Sequence, residues 1–280
     1  MGSLTRADLE LLLHKHKLGD TLPSMFPKPQ ECGMDVLPTG LAPLDCLLGG
    51  GFPRGQLSEV TGPHSTGRTS VIYTLLATTM ARGELVALVD TLDTFDPTSD
   101  ATAWVDLSKL LWIRGSCEPT ADMGIRSIDE QKWNLTDTLN SSSLKEDSRM
   151  VHALNRALKA LRLVINVGGF SVVVMDLVDI PISTIRQVPF TTWLRLSRMI
   201  EDSKTACMLL AAKPIARSPA GYTIAMQSVR SGGRWIGKSD RSRVFFGLEV
   251  QARVLRTRRR NMETSCRLSV NCSDFNLTAS

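Results

Sequence analysis

The feature that most constrains this chain is a glycine-rich loop that lies between an apolar strand and an apolar helix. Residues 61–70 read TGPHSTGRTS, which has the spacing of the phosphate-binding motif G-x-x-x-x-G-K-[ST] with Arg68 at the lysine position. Residues 57–60 predict a short buried strand before the loop, and residues 71–77 predict a helix after it. Such a loop directs backbone N–H groups and a helix N-terminus toward phosphate oxygens. The pattern therefore predicts a nucleotide-binding α/β fold.

We call residues 61–70 the phosphate loop, and it contains most of the candidate binding residues. The candidates for nucleotide binding in this loop are Gly62, Ser65, Thr66, Gly67, Arg68, Thr69 and Ser70. The Thr69 hydroxyl is also a candidate ligand for Mg²⁺. Arg68 replaces a compact ammonium with a planar guanidinium, which has to be accommodated differently. We expect ATP with Mg²⁺ as the ligand, and a glycine-rich turn without a ligand is the competing interpretation.

The composition is that of a water-soluble α/β protein. The chain has 280 residues, is 42% hydrophobic and carries a formal net charge of +5. Its six cysteines form no C-x-x-C pair, which favours reduced thiols over disulfides or a zinc site. The N-terminus is not a secretory signal, and no apolar run reaches the length of a membrane span. We therefore expect a cytoplasmic protein without a membrane segment.

Two segments lie outside the predicted core pattern. Residues 1–36 combine leucines at helical spacing with a linker that contains Pro23, Pro27 and Pro29, so they predict a helical arm and linker. Such an arm docks on its own core or on a neighbouring subunit, and self-association through it is one expectation. The remaining residues, 37–280, form the predicted core, with a polar insertion near 116–150.

Apolar strands alternate with helical segments from residue 57 to residue 212. This order predicts a mostly parallel sheet flanked by helices. Alternating residues at 244–255 and 266–270 predict antiparallel strands toward the C-terminus. Residues 170–176 form an apolar strand that ends in Asp176, a candidate to hold Mg²⁺ through water at the carboxyl edge. A turn-capping aspartate is the competing interpretation of Asp176.

Positive charge is concentrated in residues 225–260, which carry a net +8 against +5 for the whole chain. Residues 231–235, Ser-Gly-Gly-Arg-Trp, predict a flexible basic stretch with one aromatic side chain, a composition that suits single-stranded DNA. The candidate DNA-binding residues are Arg230, Arg234, Trp235 and Lys238. A solvated basic face, with Trp235 packed under the last strands, is the competing interpretation.

Residues 39–70 carry a clear resemblance to a known family. They read TG-x-x-x-LD-x-LLGGG-x-PRG-x-x-x-E-x-x-GP-x-S-x-GRTS, which resembles the entry of the RecA recombinase family into its ATPase core. In that family the next strand ends in Asp-Ala-Glu and continues to Asp-Pro, and Asp90, Asp96 and Pro97 match this pattern. The resemblance implies a RecA-like P-loop NTPase core with ATP, Mg²⁺ and single-stranded DNA as ligands.

The sequence departs from the RecA pattern at two functional positions. The glutamate that positions the attacking water in RecA proteins falls on Leu92, which cannot accept a proton, and the adjacent Asp93 is the candidate catalytic replacement. Together with Arg68, this departure implies weak or no ATP hydrolysis. The glutamine that senses the γ-phosphate falls on Lys213, which becomes a candidate phosphate contact as a cation. ATP-gated DNA binding of the usual RecA kind is therefore not expected.

Residues 106–114, DLSKLLWIR, resemble the ImuA family, the RecA-like accessory factors of the bacterial mutasome. This resemblance implies a role in the SOS response and translesion synthesis, with a RecA filament or a translesion polymerase as partner. The leading hypothesis is a DNA repair or damage-induced mutagenesis protein that binds ATP and hydrolyses it weakly. An active DNA-dependent ATPase and recombinase is one alternative. A nucleotide-free scaffold that binds RecA or a polymerase is the other.

Overall fold

The computed structural model describes residues 35–97, 106–115, 142–216, 220–237, 242–257 and 265–271. The chain divides into two units, residues 1–34 and 35–280. The predicted arm and most of the predicted insertion lie outside the described residues. Within the described part, no helix is long and apolar enough to cross a membrane.

Eight strands form one sheet in the order β10-β9-β8-β3-β7-β6-β4-β5. Their bounds are Leu57–Thr61 (β3), Val86–Asp90 (β4), Leu110–Arg114 (β5), Val172–Asp176 (β6), Ala206–Ala211 (β7), Thr223–Ile236 (β8), Val244–Arg256 (β9) and Ser265–Asn271 (β10). The six strands from β5 to β8 are parallel, while β9 is antiparallel to both β8 and β10. This is the predicted α/β class, a mostly parallel sheet with antiparallel strands toward the C-terminus.

Five α-helices accompany the sheet in the described part of the chain. Their bounds are Ala42–Leu48 (α1), Arg68–Ala81 (α2), Ser142–Val167 (α3), Ile182–Arg186 (α4) and Phe190–Ile200 (α5). Helix α1 has a proline in its first turn and ends at Gly49, whose φ of 69° is the left-handed conformation that glycine adopts without steric cost. A small pair of strands, Val36–Leu37 (β1) and Phe52–Pro53 (β2), brackets this helix.

The core fills both faces of the parallel strands. On β7, Met208 and Leu210 belong to a cluster that includes side chains of α1 and α2. The alternate residues Cys207 and Leu209 belong to a second cluster with side chains of α3, α4 and α5. Because both faces of these strands are buried, the strands read as continuous apolar runs rather than as alternating ones.

The structure differs from the sequence-based expectation in two elements. Helix α3 begins at Ser142, inside the predicted polar insertion; once a helix is nucleated, each added residue contributes a further backbone hydrogen bond. The stretch 231–235, predicted to be flexible, lies within β8, where Gly233, Arg234 and Trp235 pair with β9. The register shifts between Ser228 and Gly233, as at a β-bulge.

Candidate nucleotide-binding site

The sheet brings the phosphate loop, Asp176 and Lys213 to the same edge. Strand β7 lies between β3 and β6, with Thr61 opposite Ala211 and Asp176 opposite Leu210. Since these strands are parallel, their carboxyl ends meet at one edge, where α/β proteins bind ligands. Strand β7 therefore ends between the loop and Asp176, and Lys213 lies two residues after the end of this strand.

The phosphate loop has a backbone that few other sequences can adopt. Gly67, at φ 73°, and Ser65, at φ 59°, are both left-handed. A Cβ at Gly62 would lie 2.6 Å from the Met226 carbonyl oxygen, so only glycine fits there. The Thr66 hydroxyl donates to the Pro63 carbonyl at 2.8 Å and braces the turn. Helix α2 begins at Arg68, so the N–H groups of its first turn have no intrahelical acceptor and remain available to a ligand.

Arg68 is turned into the loop and is only 3% exposed. One terminal nitrogen of its guanidinium donates to the Gly62 carbonyl, and the other lies 3.5 Å from Nδ1 of His64. Burial lowers the pKa of Arg68, and the carboxylates of Asp176 and Asp179 act in the opposite direction. The loop therefore contains a buried cation of its own.

Asp176 ends β6 beside this cation. Its Oδ1 accepts the backbone N–H of Val178 at 2.9 Å. The pKa of Asp176 is raised to about 6, chiefly by burial and also by the carboxylates of Asp90 and Asp179, while the Val178 N–H and Arg68 act in the opposite direction. The carboxyl group is thus mostly ionised at pH 7 but takes up a proton in mild acid.

The oxygens of Thr69 and Asp176 fit Mg²⁺, which prefers hard oxygen ligands and few protein groups. Across the described ranges, no three His, Cys, Asp or Glu side chains are grouped so that they could hold a metal ion. Mg²⁺ bound together with a nucleotide usually takes most of its ligands from phosphate and water.

Asp90 organises the backbone that follows β4. Its carboxylate accepts the N–H groups of Thr94 and Phe95, each at 2.9 Å, and Nε1 of Trp112 at 3.2 Å. The Phe95 ring packs edge-on against Tyr73 of α2 and against Trp112 of β5. Asp90 is therefore satisfied by protein donors, which ties the loop after β4 to β5.

The structure places neither Leu92 nor Asp93 as a ready proton acceptor. Leu92 packs against the second apolar cluster. Asp93, at φ 58°, directs both carboxylate oxygens to Arg114, with two contacts of 2.7 Å. The Arg114 guanidinium holds the pKa of Asp93 below its ordinary value. An ion-paired carboxylate of low pKa is a weak general base.

Lys213 is exposed, and the backbone that follows it is fixed by a residue the sequence did not single out. That residue is Glu59, fully buried in β3, whose Oε1 accepts the N–H groups of Ile215 at 2.9 Å and Ala216 at 2.6 Å. Its other oxygen accepts the Thr223 hydroxyl at 3.0 Å. Burial raises the pKa of Glu59. A charged residue within an apolar strand was the signal that could have found it.

Two further residues at the site were missed. Nε2 of His64 lies 3.9 Å from Oδ1 of Asp179, so a histidine of the loop approaches the segment that follows β6. Asp179 was detectable as a second acid near the strand end. His64 occupies a variable position of the motif, and nothing in the sequence pointed to it.

The predicted DNA-binding residues fall on a different part of the sheet. Trp235, on β8, is 57% exposed and packs edge-on against Phe245 of β9 at 5.3 Å between ring centres. The Arg234 guanidinium lies 5.4 Å from the centre of the Phe246 ring. Arg230 lies on β8, but its side chain is outside the described set, as is all of Lys238. Trp235 is thus an exposed aromatic residue and not a core side chain.

Comparison with known proteins relates the chain to RecA. Residues 15–129 match the RecA N-terminal domain. RecA of Prochlorococcus marinus (strain MIT 9303) is 36% identical over 97 residues, which cover 35% of this chain and 25% of that protein. RecA of Picosynechococcus sp. (strain PCC 7002) is 40% identical over 76 residues, or 27% of this chain and 22% of that protein. The chain thus spans about a quarter of the length of the curated relatives it matches.

A solved structure extends the likeness in fold to most of the chain. The crystal structure of the RadB recombinase superposes with a TM-score of 0.52 at 17% identity. The match covers 85% of this chain and 97% of that one. The chain therefore has a RecA-like fold, and its N-terminal part, residues 15–129, is related in sequence to the RecA N-terminal domain.

Proposed function

We propose that the chain binds ATP with Mg²⁺ at the phosphate loop and acts on DNA in repair, recombination or damage-induced mutagenesis. The observation that carries this proposal is the phosphate loop at the carboxyl edge of a RecA-like sheet, two strands from Asp176. The backbone N–H groups of residues 65–69 bind the β-phosphate. The Thr69 hydroxyl and, through water, Asp176 hold Mg²⁺, which neutralises phosphate charge, and Lys213 offers a further cation.

Hydrolysis is weak in this proposal. Leu92 supplies no general base, and Asp93 is held by Arg114. A positioned general base typically contributes about 10²-fold or more to the rate, so its loss leaves slow turnover. Replacing Leu92 with Glu and Arg68 with Lys together is expected to raise turnover, whereas Leu92→Gln, which cannot accept a proton, should not.

The test is a titration of the full chain with a fluorescent ATP analogue, with and without Mg²⁺. Thr69→Ala removes one proposed metal ligand and should weaken Mg²⁺-dependent binding about tenfold or more, within the range for a lost interaction with a charged group. Thr191→Ala, an exposed threonine of α5, is the matched control and should bind as the wild type does. If no saturable binding is seen at millimolar nucleotide, the proposal is wrong, and the alternative of a nucleotide-free scaffold protein is favoured.

Turnover separates the remaining alternatives. ATP hydrolysis is measured with and without single-stranded DNA, using an ordinary RecA protein for comparison. Slow turnover in both conditions agrees with the proposal. A wild-type rate equal to that of the RecA protein in the presence of DNA would contradict it and favour an active DNA-dependent ATPase and recombinase.

A second element of the proposal places single-stranded DNA on the basic pair of strands β8 and β9. The exposed Trp235 offers a ring for base stacking, worth about 1–3 kcal/mol per base, and Arg230, Arg234 and Lys238 offer phosphate contacts. Cationic contacts of this kind weaken steeply as salt increases. The resemblance to the ImuA family supports a RecA filament or a translesion polymerase as protein partner.

The DNA proposal is tested by measuring affinity for single-stranded DNA against salt. Trp235→Ala should weaken binding about tenfold. Arg230→Ala with Arg234→Ala should weaken binding and reduce the salt slope by about 2. Arg195→Ala, which removes an exposed arginine from α5, is the control for charge alone. Unchanged affinity and slope in the double variant would move DNA elsewhere and leave β8 and β9 as a partner surface.

A further inference from the structure

Arg68 occupies an electrostatically unfavourable place. The N-terminus of a helix carries a partial positive charge, which stabilises anions and not cations. Arg68 is the first residue of α2, and its guanidinium is almost fully buried. Within the described ranges, no carboxylate forms an ion pair with it, and Asp176 and Asp179 act only over a longer distance. In the ligand-free structure, Arg68 is therefore held by contacts with the Gly62 carbonyl and the His64 ring rather than by an ion pair.

The contacts of Arg68 show where its side chain goes. Starting from the last turn of the loop, it reaches back to the Gly62 carbonyl, which lies where the loop begins. Its second terminal nitrogen approaches the His64 ring, and that ring approaches Asp179. The side chain therefore spans the phosphate loop, from Arg68 at the start of α2 back to Gly62 near the beginning of the loop.

We propose that Arg68 closes the phosphate loop in the absence of ligand, and that the guanidinium must leave the Gly62 carbonyl before a phosphate group can enter. This inference rests on the proposed nucleotide site. A lysine in this position has one ammonium group and cannot hold the Gly62 carbonyl and the His64 ring with separate nitrogens of a planar fork. Closure of this kind therefore follows from the arginine and not from the motif.

Closure of the loop should lower the apparent affinity for a phosphate ligand. When only a fraction of the molecules has an open loop, the apparent affinity for a ligand falls by that fraction. Removing the guanidinium should therefore strengthen phosphate binding. An arginine that simply replaces the phosphate-binding lysine predicts the reverse, because deleting it removes a cation from the site.

The first test measures the affinity of the full chain for ATP and for pyrophosphate by calorimetry. Arg68→Ala should bind both about tenfold more tightly than the wild type. Arg82→Ala is the matched control, since Arg82 lies at the other end of the same helix and pairs with Glu84. It should bind as the wild type does. Equal or weaker binding by Arg68→Ala would overturn the proposal.

The second test needs no nucleotide. Hydrogen exchange of the backbone of residues 60–70 should become about tenfold faster in Arg68→Ala and stay unchanged in Arg82→Ala. Unaltered exchange in Arg68→Ala would also overturn the proposal. If neither protein binds ATP or pyrophosphate, the proposed function fails, and exchange alone decides whether Arg68 closes the loop. Should Arg68→Ala not fold, His64→Ala removes one of the two contacts and should shift both measurements in the same direction, by about threefold.

Discussion

At the scale of single residues, the carboxyl edge of the sheet combines a buried arginine, Arg68, with a partly buried aspartate, Asp176, and the two do not form an ion pair. Arg68 and Asp176 influence each other's pKa, yet each makes its hydrogen bond to the backbone, at Gly62 and Val178. Charges kept apart in this way raise the free energy of the folded protein in the absence of ligand. The same charges are available to interact with a ligand. Ligand-binding sites often carry this kind of local destabilisation.

Asp176→Asn should stabilise the ligand-free protein at neutral pH. The folded-state pKa of Asp176, about 6, lies above the ordinary value of 3.8, so the folded protein holds this proton more tightly than the unfolded chain. The contribution of Asp176 to stability is therefore greatest in acid and falls as pH rises through 6. Asparagine does not ionise, so the variant should gain roughly 2 kcal/mol at pH 7.5 and much less at pH 4.5.

Urea unfolding at both pH values measures this difference. Asp202→Asn is the control, because Asp202 is exposed and has the left-handed backbone that asparagine also adopts. Asp176→Asn should in addition weaken Mg²⁺-dependent nucleotide binding. A gain in stability that is the same at pH 4.5 and pH 7.5 would show that the ionisation of Asp176 does not cause it.

At the scale of elements, Glu59 connects three segments that are distant in sequence. It lies in β3, immediately before the phosphate loop, and its carboxylate holds the backbone at Ile215 and Ala216 and the Thr223 hydroxyl at the start of β8. The connection between β7 and β8 thus depends on one buried side chain. The same strand leads to the loop, and β8 leads to the basic residues around Trp235.

Glu59→Ala should cost about 3 kcal/mol of unfolding free energy or more. The variant leaves two backbone N–H groups without their acceptor, and each such loss costs about 1–3 kcal/mol. Glu59→Gln keeps the acceptor oxygen, and the Thr223 hydroxyl can turn to accept from the new amide, so its loss should stay near 1 kcal/mol. Urea denaturation compares the two variants. Equal losses would show that burial, and not the hydrogen bonds, gives Glu59 its structural role.

At the scale of the whole molecule, stability comes from two apolar clusters on the two faces of one parallel sheet. Strands β4, β6 and β7 contribute residues to both clusters, and side chains of β5 pack against both. The phosphate loop and Asp176 are therefore supported from both faces. Loosening either cluster should weaken the whole fold, because the two share the same strands.

Helix α3 offers a matched pair of leucines to test this. Leu161 is 0% exposed and lies in the second cluster, whereas Leu163 is 66% exposed on the same helix. Leu161→Ala should cost about 2–5 kcal/mol, through lost burial and a cavity. Leu163→Ala should change stability by about 0.5 kcal/mol or less. Thermal and urea unfolding measure both, and similar losses in the two variants would mean that α3 does not pack as the structure shows.

Much of the fold was accessible from the amino-acid sequence, because the relevant signals are local. Glycine spacing, a strand before it and a helix after it define the phosphate loop within about twenty residues. The continuous apolar runs that end in Asp90 and Asp176 indicate buried parallel strands. The α/β class and the antiparallel C-terminal strands follow from the order of such segments.

The tertiary structure decided what depends on distant contacts. Asp93 meets Arg114 across 21 residues, and Glu59 meets Ile215 across 156, so no local pattern contains either pair. Pairing of β8 with β9 turned a glycine-rich stretch into a strand. Even for Arg68, whose partner Gly62 is only six residues away, the motif does not specify that the side chain turns back to this carbonyl in a buried position. The local pattern was enough to predict a glycine-rich loop between a strand and a helix, whereas the direction of the Arg68 side chain toward the Gly62 carbonyl depends on the neighbours that folding supplies.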